Sequence, residues 1–231
     1  MGRVWGDDAK SLLPRYNYHY TAADSAALRK INERMDSVRR GEKRPTVALV
    51  LSGGGAKGFA YIGAMKILQE KNIPIDMVIG CSIGGLMGGL YSMGYDMEEL
   101  EKTLPYLDWM EIMTDKIPRR ILSHQDRTYK DSYNISLPSY KTPGISPSGE
   151  KQSGFMKGLP SGLAQGYNAQ NLFSALSVGY EYETDFFDME VPYATVALDL
   201  LSNHLKVFHE GNINVAMRST MSIPGVFAPV K

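Results

Sequence analysis

Two glycine-rich turns carry the residues that could do chemistry. The first, Gly53-Gly54-Gly55-Ala56-Lys57-Gly58, satisfies G-x-G-x-x-G through Gly53, Gly55 and Gly58. Glycine takes positive φ freely and lets a ligand come close to the bare backbone N–H groups. Placed at a helix N-terminus, such groups favour negative charge. A diphosphate and the oxyanion of an acyl-transfer step are both served by this turn, so alone it selects neither. The second turn, Gly80-Cys81-Ser82-Ile83-Gly84, is G-x-S-x-G. Between a strand and a helix this is the pattern of a nucleophile elbow. The turn is tight and strained, its flanks favour glycine, and the serine hydroxyl is lifted clear of the sheet at a helix N-terminus that favours developing negative charge.

The surrounding pattern supplies the elements that would position both turns. Thr46–Leu51 reads as a continuous apolar strand of the buried parallel kind. Phe59–Lys71 reads as a helix, Met77–Gly80 as a second short strand, and Ile83–Met93 as a glycine-rich helix closed by Gly94, with Asp96 capping the next. This alternation implies an α/β layered sheet. In a dinucleotide fold the second strand should end on an acid for the ribose. That place holds Gly80-Cys81-Ser82, and Asp76 lies at the wrong end of the strand. Serine acyl chemistry is therefore the expected use of the two turns, and dinucleotide binding is the weaker alternative.

Upstream, a helix is expected from Thr21, where Thr21 and Asp24 have capping-box spacing and Leu28, Ile31, Met35 and Val38 fall on one stripe, to Gly41. Seven basic and three acidic residues lie between Arg29 and Arg44, read as a solvated face. Downstream, Val191–Leu201 and Leu205–His209 read as strands joined at Ser202–Asn203, and Asn214–Met221 as a helix stopped by Pro224–Gly225. Residues 1–20 are Tyr-rich and irregular, and Tyr133–Gly166 is a Ser/Gly/Pro-rich stretch read equally as a lid or binding segment and as disorder without function.

The 231 residues carry 25 basic and 25 acidic side chains, so no net charge draws the chain to nucleic acid. The single cysteine, Cys81, excludes an internal disulfide. No apolar run approaches the ~20 residues of a membrane helix, and the first residues lack a signal-peptide core, so the chain is expected in the cytoplasm or against a membrane. Met87, Met93, Met97, Met110 and Met113 cluster after the second turn and are read as core filling. Asp115–Arg120 is read as a solvated charge run rather than a phosphate contact.

The segments "SGGGAKG" and "GCSIGG", with the helix between them, resemble the patatin-like phospholipase family. Weaker similarity continues through "GLPSGLAQGYNAQNLFSAL", "VPYATVALDLLSNHLKVFHEG" and "AMRSTMSIPGVFAPV". The resemblance divides the chain into an N-terminal extension with an amphipathic helix, residues 1–44, and a patatin-like domain, residues 45–231. It implies a three-layer α/β/α fold with a central, mostly parallel sheet. Ser82 matches the nucleophile, Gly53, Gly54 and Gly55 match the oxyanion-hole glycines, and Lys57 matches the basic residue beside them, with Gly58, Gly80 and Gly84 supporting the two motifs. The implied reaction is hydrolysis of a phospholipid or other acyl ester, without metal or organic cofactor, with a membrane surface as a peripheral contact.

A serine hydroxyl needs a base to take its proton. In the family that base is an aspartate in D-G-[GA], and no Asp-Gly dipeptide occurs in this sequence. The expectation is a domain that stops before its base, inactive or weakly active as it stands; the alternative is a lipid-binding fragment that does not turn over. Asp199 is expected to be structural. His204 and His209 are the weak candidates for a Ser–Asp–His triad, and His19 and His124 have no supporting context.

Overall fold

The computed structural model describes residues 21–115, 123–124, 162–180, 182–223 and 225–230. Residues 1–20, His19 and most of the Ser/Gly/Pro-rich stretch lie outside the described residues, as does the charge run beyond Asp115. The chain forms two compact units, residues 1–107 with 172–221 and residues 108–171 with 222–231.

In chain order the elements are α1 (Ala22–Glu42), β1 (Ala48–Leu51), α2 (Ala60–Glu70), β2 (Met77–Cys81), α3 (Ile83–Ser92), α4 (Met97–Thr103), α5 (Trp109–Thr114) and β3 (Gly162–Ala164). They continue with α6 (Tyr167–Leu176), β4 (Thr184–Asp185), β5 (Tyr193–Asp199), β6 (His204–Phe208), β7 (Glu210–Gly211), α7 (Ile213–Thr220) and β8 (Gly225–Phe227). The first unit is built on a sheet of order β1-β2-β5-β6. β1, β2 and β5 run parallel, and β6 returns antiparallel as the expected hairpin. The result is the expected α/β fold with a mostly parallel central sheet.

Alternate residues on the strands face opposite ways. Leu51, Val78, Gly80, Tyr193 and Thr195 turn to the face that holds α3 and are buried. α3 is buried along almost its whole length, as a helix apolar on all sides must be. Met87 and Met97 are fully buried, as core filling requires, whereas Met110 is 69% exposed.

On the other face, Ile31 and Met35 of α1 pack with Ala194, Met77 and Val207. Helix α1 thus supplies a layer of the sandwich from the segment read as an extension. Its capping box forms as the spacing predicts, Thr21 and Asp24 exchanging hydrogen bonds. The stripe differs from the expectation: Leu28 is 43% exposed, and the buried line runs through Asp24, Ala27, Ile31 and Met35. Asp24 takes the place of an apolar residue because it meets His209 across the helix. The helix ends one residue beyond Gly41, with Lys43 in the left-handed region.

The basic face of α1 is only partly solvated. Lys30 reaches Asp185 at 2.6 Å and Asp188 at 2.7 Å. Arg34 donates to the carbonyl oxygens of Phe187 and Glu190. These contacts pin the helix to the turn before β5.

In the second unit, β3 and β8 pair in parallel. The Asp115 carboxylate accepts from the backbone N–H groups of Gly166 and Asn168. Among the described residues no helix is long and apolar enough to cross a membrane.

Candidate active site

β2 ends at Cys81, level with Val196 of β5, and α3 begins at Ile83. Ser82 is left as the whole connection. Its backbone sits at φ 52°, ψ −126°, a conformation that costs a non-glycine residue ~1–3 kcal/mol and persists only where the surroundings impose it. A Cβ on Gly80 would lie 2.3 Å from the carbonyl oxygen of Gly84, and one on Gly84 would lie 2.4 Å from that of Leu51. Both contacts are with backbone, so neither position admits a side chain while strand and helix stay this close. The elbow expected from G-x-S-x-G is therefore formed. Ser82 is half-buried, and Cys81 beside it is exposed.

The other glycine turn leaves the end of β1, the strand paired with β2, so both turns emerge at the C-terminal edge of the sheet. Open α/β sheets bind their ligands at that edge. Gly53 packs on Ser82: a Cβ there would stand 3.3 Å from Ser82 Cβ and 4.0 Å from Oγ. Gly58 lets Ile83 fit beneath the turn, since a Cβ would fall 2.2 Å from Ile83 Cγ2. Gly55 has φ +55°, the left-handed conformation that favours glycine. Instead of entering an α-helix at once, residues Gly55–Phe59 make a 3₁₀ turn, and α2 follows. Tyr61 anchors the turn by donating to the Ser52 carbonyl at 2.9 Å.

Among the described residues nothing accepts from the N–H groups of Gly53, Gly54 or Gly55. All three glycines are exposed, as is Lys57, which forms no ion pair with another described residue. Donors of this kind, next to a hydroxyl raised at a helix N-terminus, can receive an anion that develops on an attacked carbonyl.

Three buried hydroxyls that sequence reasoning passed over hold the elbow. Thr195 Oγ1 donates to Gly80 O at 2.9 Å, and Tyr193 OH donates to Gly85 O at 2.7 Å. Thr220 Oγ1 accepts from Ser82 N at 2.8 Å and donates to Val196 O at 2.6 Å. Burial pushes the Tyr193 phenol above its usual range, so it remains a donor. The period-two spacing of Tyr193 and Thr195 on a buried strand was the available signal, but it is shared by any strand with polar residues on one face.

The remaining candidates are engaged elsewhere. The Asp199 carboxylate accepts from Leu201 N and Ser202 Oγ, which close the β5–β6 turn and hold it below the usual carboxylate range, the Ser202 bond contributing most. It is structural, as expected. His209 is 7% exposed, stacks on Phe187, and places Nε2 3.1 Å from Asp24 Oδ1. Its ring joins α1 to the sheet. Asp76 lies at the opposite end of β2 from Ser82, where it accepts from both terminal guanidinium nitrogens of Arg44 at 2.7 Å and from Val47 N. The end of β2 that a ribose would approach carries serine and no acid.

The chain matches the Patatin-like phospholipase family over residues 49–231. An uncharacterized NTE family protein of Mycobacterium tuberculosis is 28% identical over 192 residues, 82% of this chain and 41% of that protein. Lysophospholipase NTE1 of Kluyveromyces lactis is 55% identical over 51 residues, 22% of this chain and 4% of that protein. Neuropathy target esterase sws of Drosophila sechellia is 28% identical over 185 residues, 80% of this chain and 10% of that protein. The chain thus spans less than half the length of these curated relatives. The family match takes in the serine elbow and most of the central sheet, and on that extent the chain belongs to the patatin-like phospholipase family.

Proposed function

We propose that the chain is a serine lipid acyl hydrolase. Ser82 Oγ attacks a fatty-acyl ester, and the amides of Gly53, Gly54 and Gly55 receive the carbonyl oxygen as it becomes an anion. The alcohol leaves with a proton, the acyl group stays on Ser82, and water then releases it as a fatty acid. The observation that carries this reading is the closeness of Gly53 to Ser82, a turn whose amides have no acceptor among the described residues set against a raised hydroxyl. The substrate class is a phospholipid, lysophospholipid or related acyl ester, a reading supported by relatives named as a lysophospholipase and an esterase.

The proton of Ser82 needs an acceptor. His209 is committed to Asp24, Asp199 to its own turn, and no Asp-Gly dipeptide occurs in the 231 residues. These residues alone therefore turn over slowly, on oxyanion donors and binding, a contribution worth ~10³–10⁴ over water in serine hydrolases. The second reading is a lipid-binding domain that holds acyl chains without turnover, and the absence of an Asp-Gly dipeptide from these residues is what favours it.

Short p-nitrophenyl esters test the proposal. Wild type should exceed Ser82→Ala, which keeps only what the oxyanion donors and binding supply. Equal rates for the two proteins would remove Ser82 from the chemistry.

A further inference from the structure

We infer that Thr220 is the positioning residue of the nucleophile elbow, an inference that rests on the reading of Ser82 as nucleophile. Ser82 is held at positive φ with its N–H pointing inward. A buried donor without a partner is costly, so something must accept from it. The acceptor is not a carbonyl of the sheet but the hydroxyl of Thr220, which is 8% exposed and ends α7. The same hydroxyl donates a hydrogen bond to Val196 O, on the residue that lies opposite Cys81 in the parallel ladder. A chain of two hydrogen bonds, from Ser82 N–H to Thr220 Oγ1 and from Thr220 O–H to Val196 C=O, thus joins the elbow, α7 and β5.

Two consequences follow. The Ser82 amide is spent at 2.8 Å on Thr220 and is not offered to the substrate, so stabilisation of the oxyanion falls to the Gly53–Gly55 turn. The hydroxyl of Thr220 also fixes the rotation of the Ser82 peptide, and with it the direction in which Oγ leaves the backbone. A displacement of the order of 1 Å at a reacting group costs ~10²-fold. The fit around Thr220 is close: a Cβ on Gly85 would stand 2.8 Å from Thr220 Cγ2.

Thr220→Val keeps the shape and removes the hydroxyl, whereas Thr220→Ser keeps the hydroxyl. Amide hydrogen exchange read residue by residue should show Ser82 exchanging at least ~10-fold faster in Thr220→Val. Leu86, whose N–H donates to Ser82 O at 3.0 Å, should change less. Ester hydrolysis in excess of Ser82→Ala should lose ~10- to 100-fold in kcat with KM little changed. Thr220→Ser should restore both exchange and rate. Thr220→Ala replaces the valine variant if a thermal melt shows that valine does not fold.

An unchanged Ser82 exchange rate overturns the inference. So does a faster exchange with wild-type kcat, which would make the bond structural only. Should wild type be no faster than Ser82→Ala, the nucleophile reading itself has failed. The exchange ratio then still decides whether Thr220 holds the elbow.

Discussion

Gly53 lies against Ser82 so closely that a methyl group on its α-carbon would stand 3.3 Å from Ser82 Cβ and 4.0 Å from Oγ. On the proposed reading, the carbonyl of a substrate would enter between this backbone and the hydroxyl. Gly53→Ala should push its methyl into that space. The expected loss is ~10²-fold in ester hydrolysis, the scale of a lost oxyanion donor, with the melting temperature nearly kept. Steady-state kinetics and a thermal melt on the same preparation check it.

The elbow glycines should behave differently from a helix glycine with room around it. Gly80→Ala and Gly84→Ala each drive a Cβ into backbone that cannot step aside, and each should cost ~1–3 kcal/mol or more of stability. Gly63 sits inside α2 with nothing within 4 Å of a built Cβ. Gly63→Ala should instead stabilise by ~1 kcal/mol. Urea unfolding of the three variants gives opposite signs if the packing is as described.

Much of the geometry around Ser82 was legible because its constraints are local. G-x-S-x-G between Met77–Cys81 and Ile83–Ser92 specifies a strand, a one-residue turn and a helix, and the chain can meet that demand in few ways. The hairpin at Asp199–His204 was legible from its turn residues. Non-local partners were not legible. Nothing near Thr220 in the chain shows that its hydroxyl will meet the Ser82 amide, because the contact exists only once α7 crosses β5. The stripe of α1 was misplaced at Leu28 for the same reason: a carboxylate on the inner face is stable only where His209 waits for it. Arg34 read as a surface charge because its acceptors are carbonyl oxygens, which the sequence does not mark.

The Asp76–Arg44 pair should make stability depend on acid. The Arg44 guanidinium, chiefly, and the Val47 N–H hold the buried Asp76 carboxyl below its ordinary value. A group depressed in the folded state stabilises fully above its unfolded pKa, ~3.9, and loses that contribution as pH falls through the folded value. Asp76→Asn should therefore unfold at lower urea than wild type at pH 7. The gap should close as the pH is lowered below ~4. A gap constant from pH 7 into that acid range would contradict the role given to this pair.

His209 separates structural from catalytic histidine. With Nε2 on Asp24 and its ring on Phe187, it should contribute to stability alone. His209→Ala is expected to cost ~1–3 kcal/mol in unfolding, through the loss of a buried polar contact, and to leave the ester rate per folded molecule within ~2-fold. A collapse of kcat in a folded variant would point to a triad instead.

The central claim is most directly tested by mapping where an electrophile lands. A fluorophosphonate probe, incubated with the chain and followed by peptide mass spectrometry, should deposit its phosphonyl group on Ser82. That adduct should form slowly, and it should vanish in Ser82→Ala. An adduct on any other residue, or none after long incubation at high probe concentration, would contradict the account.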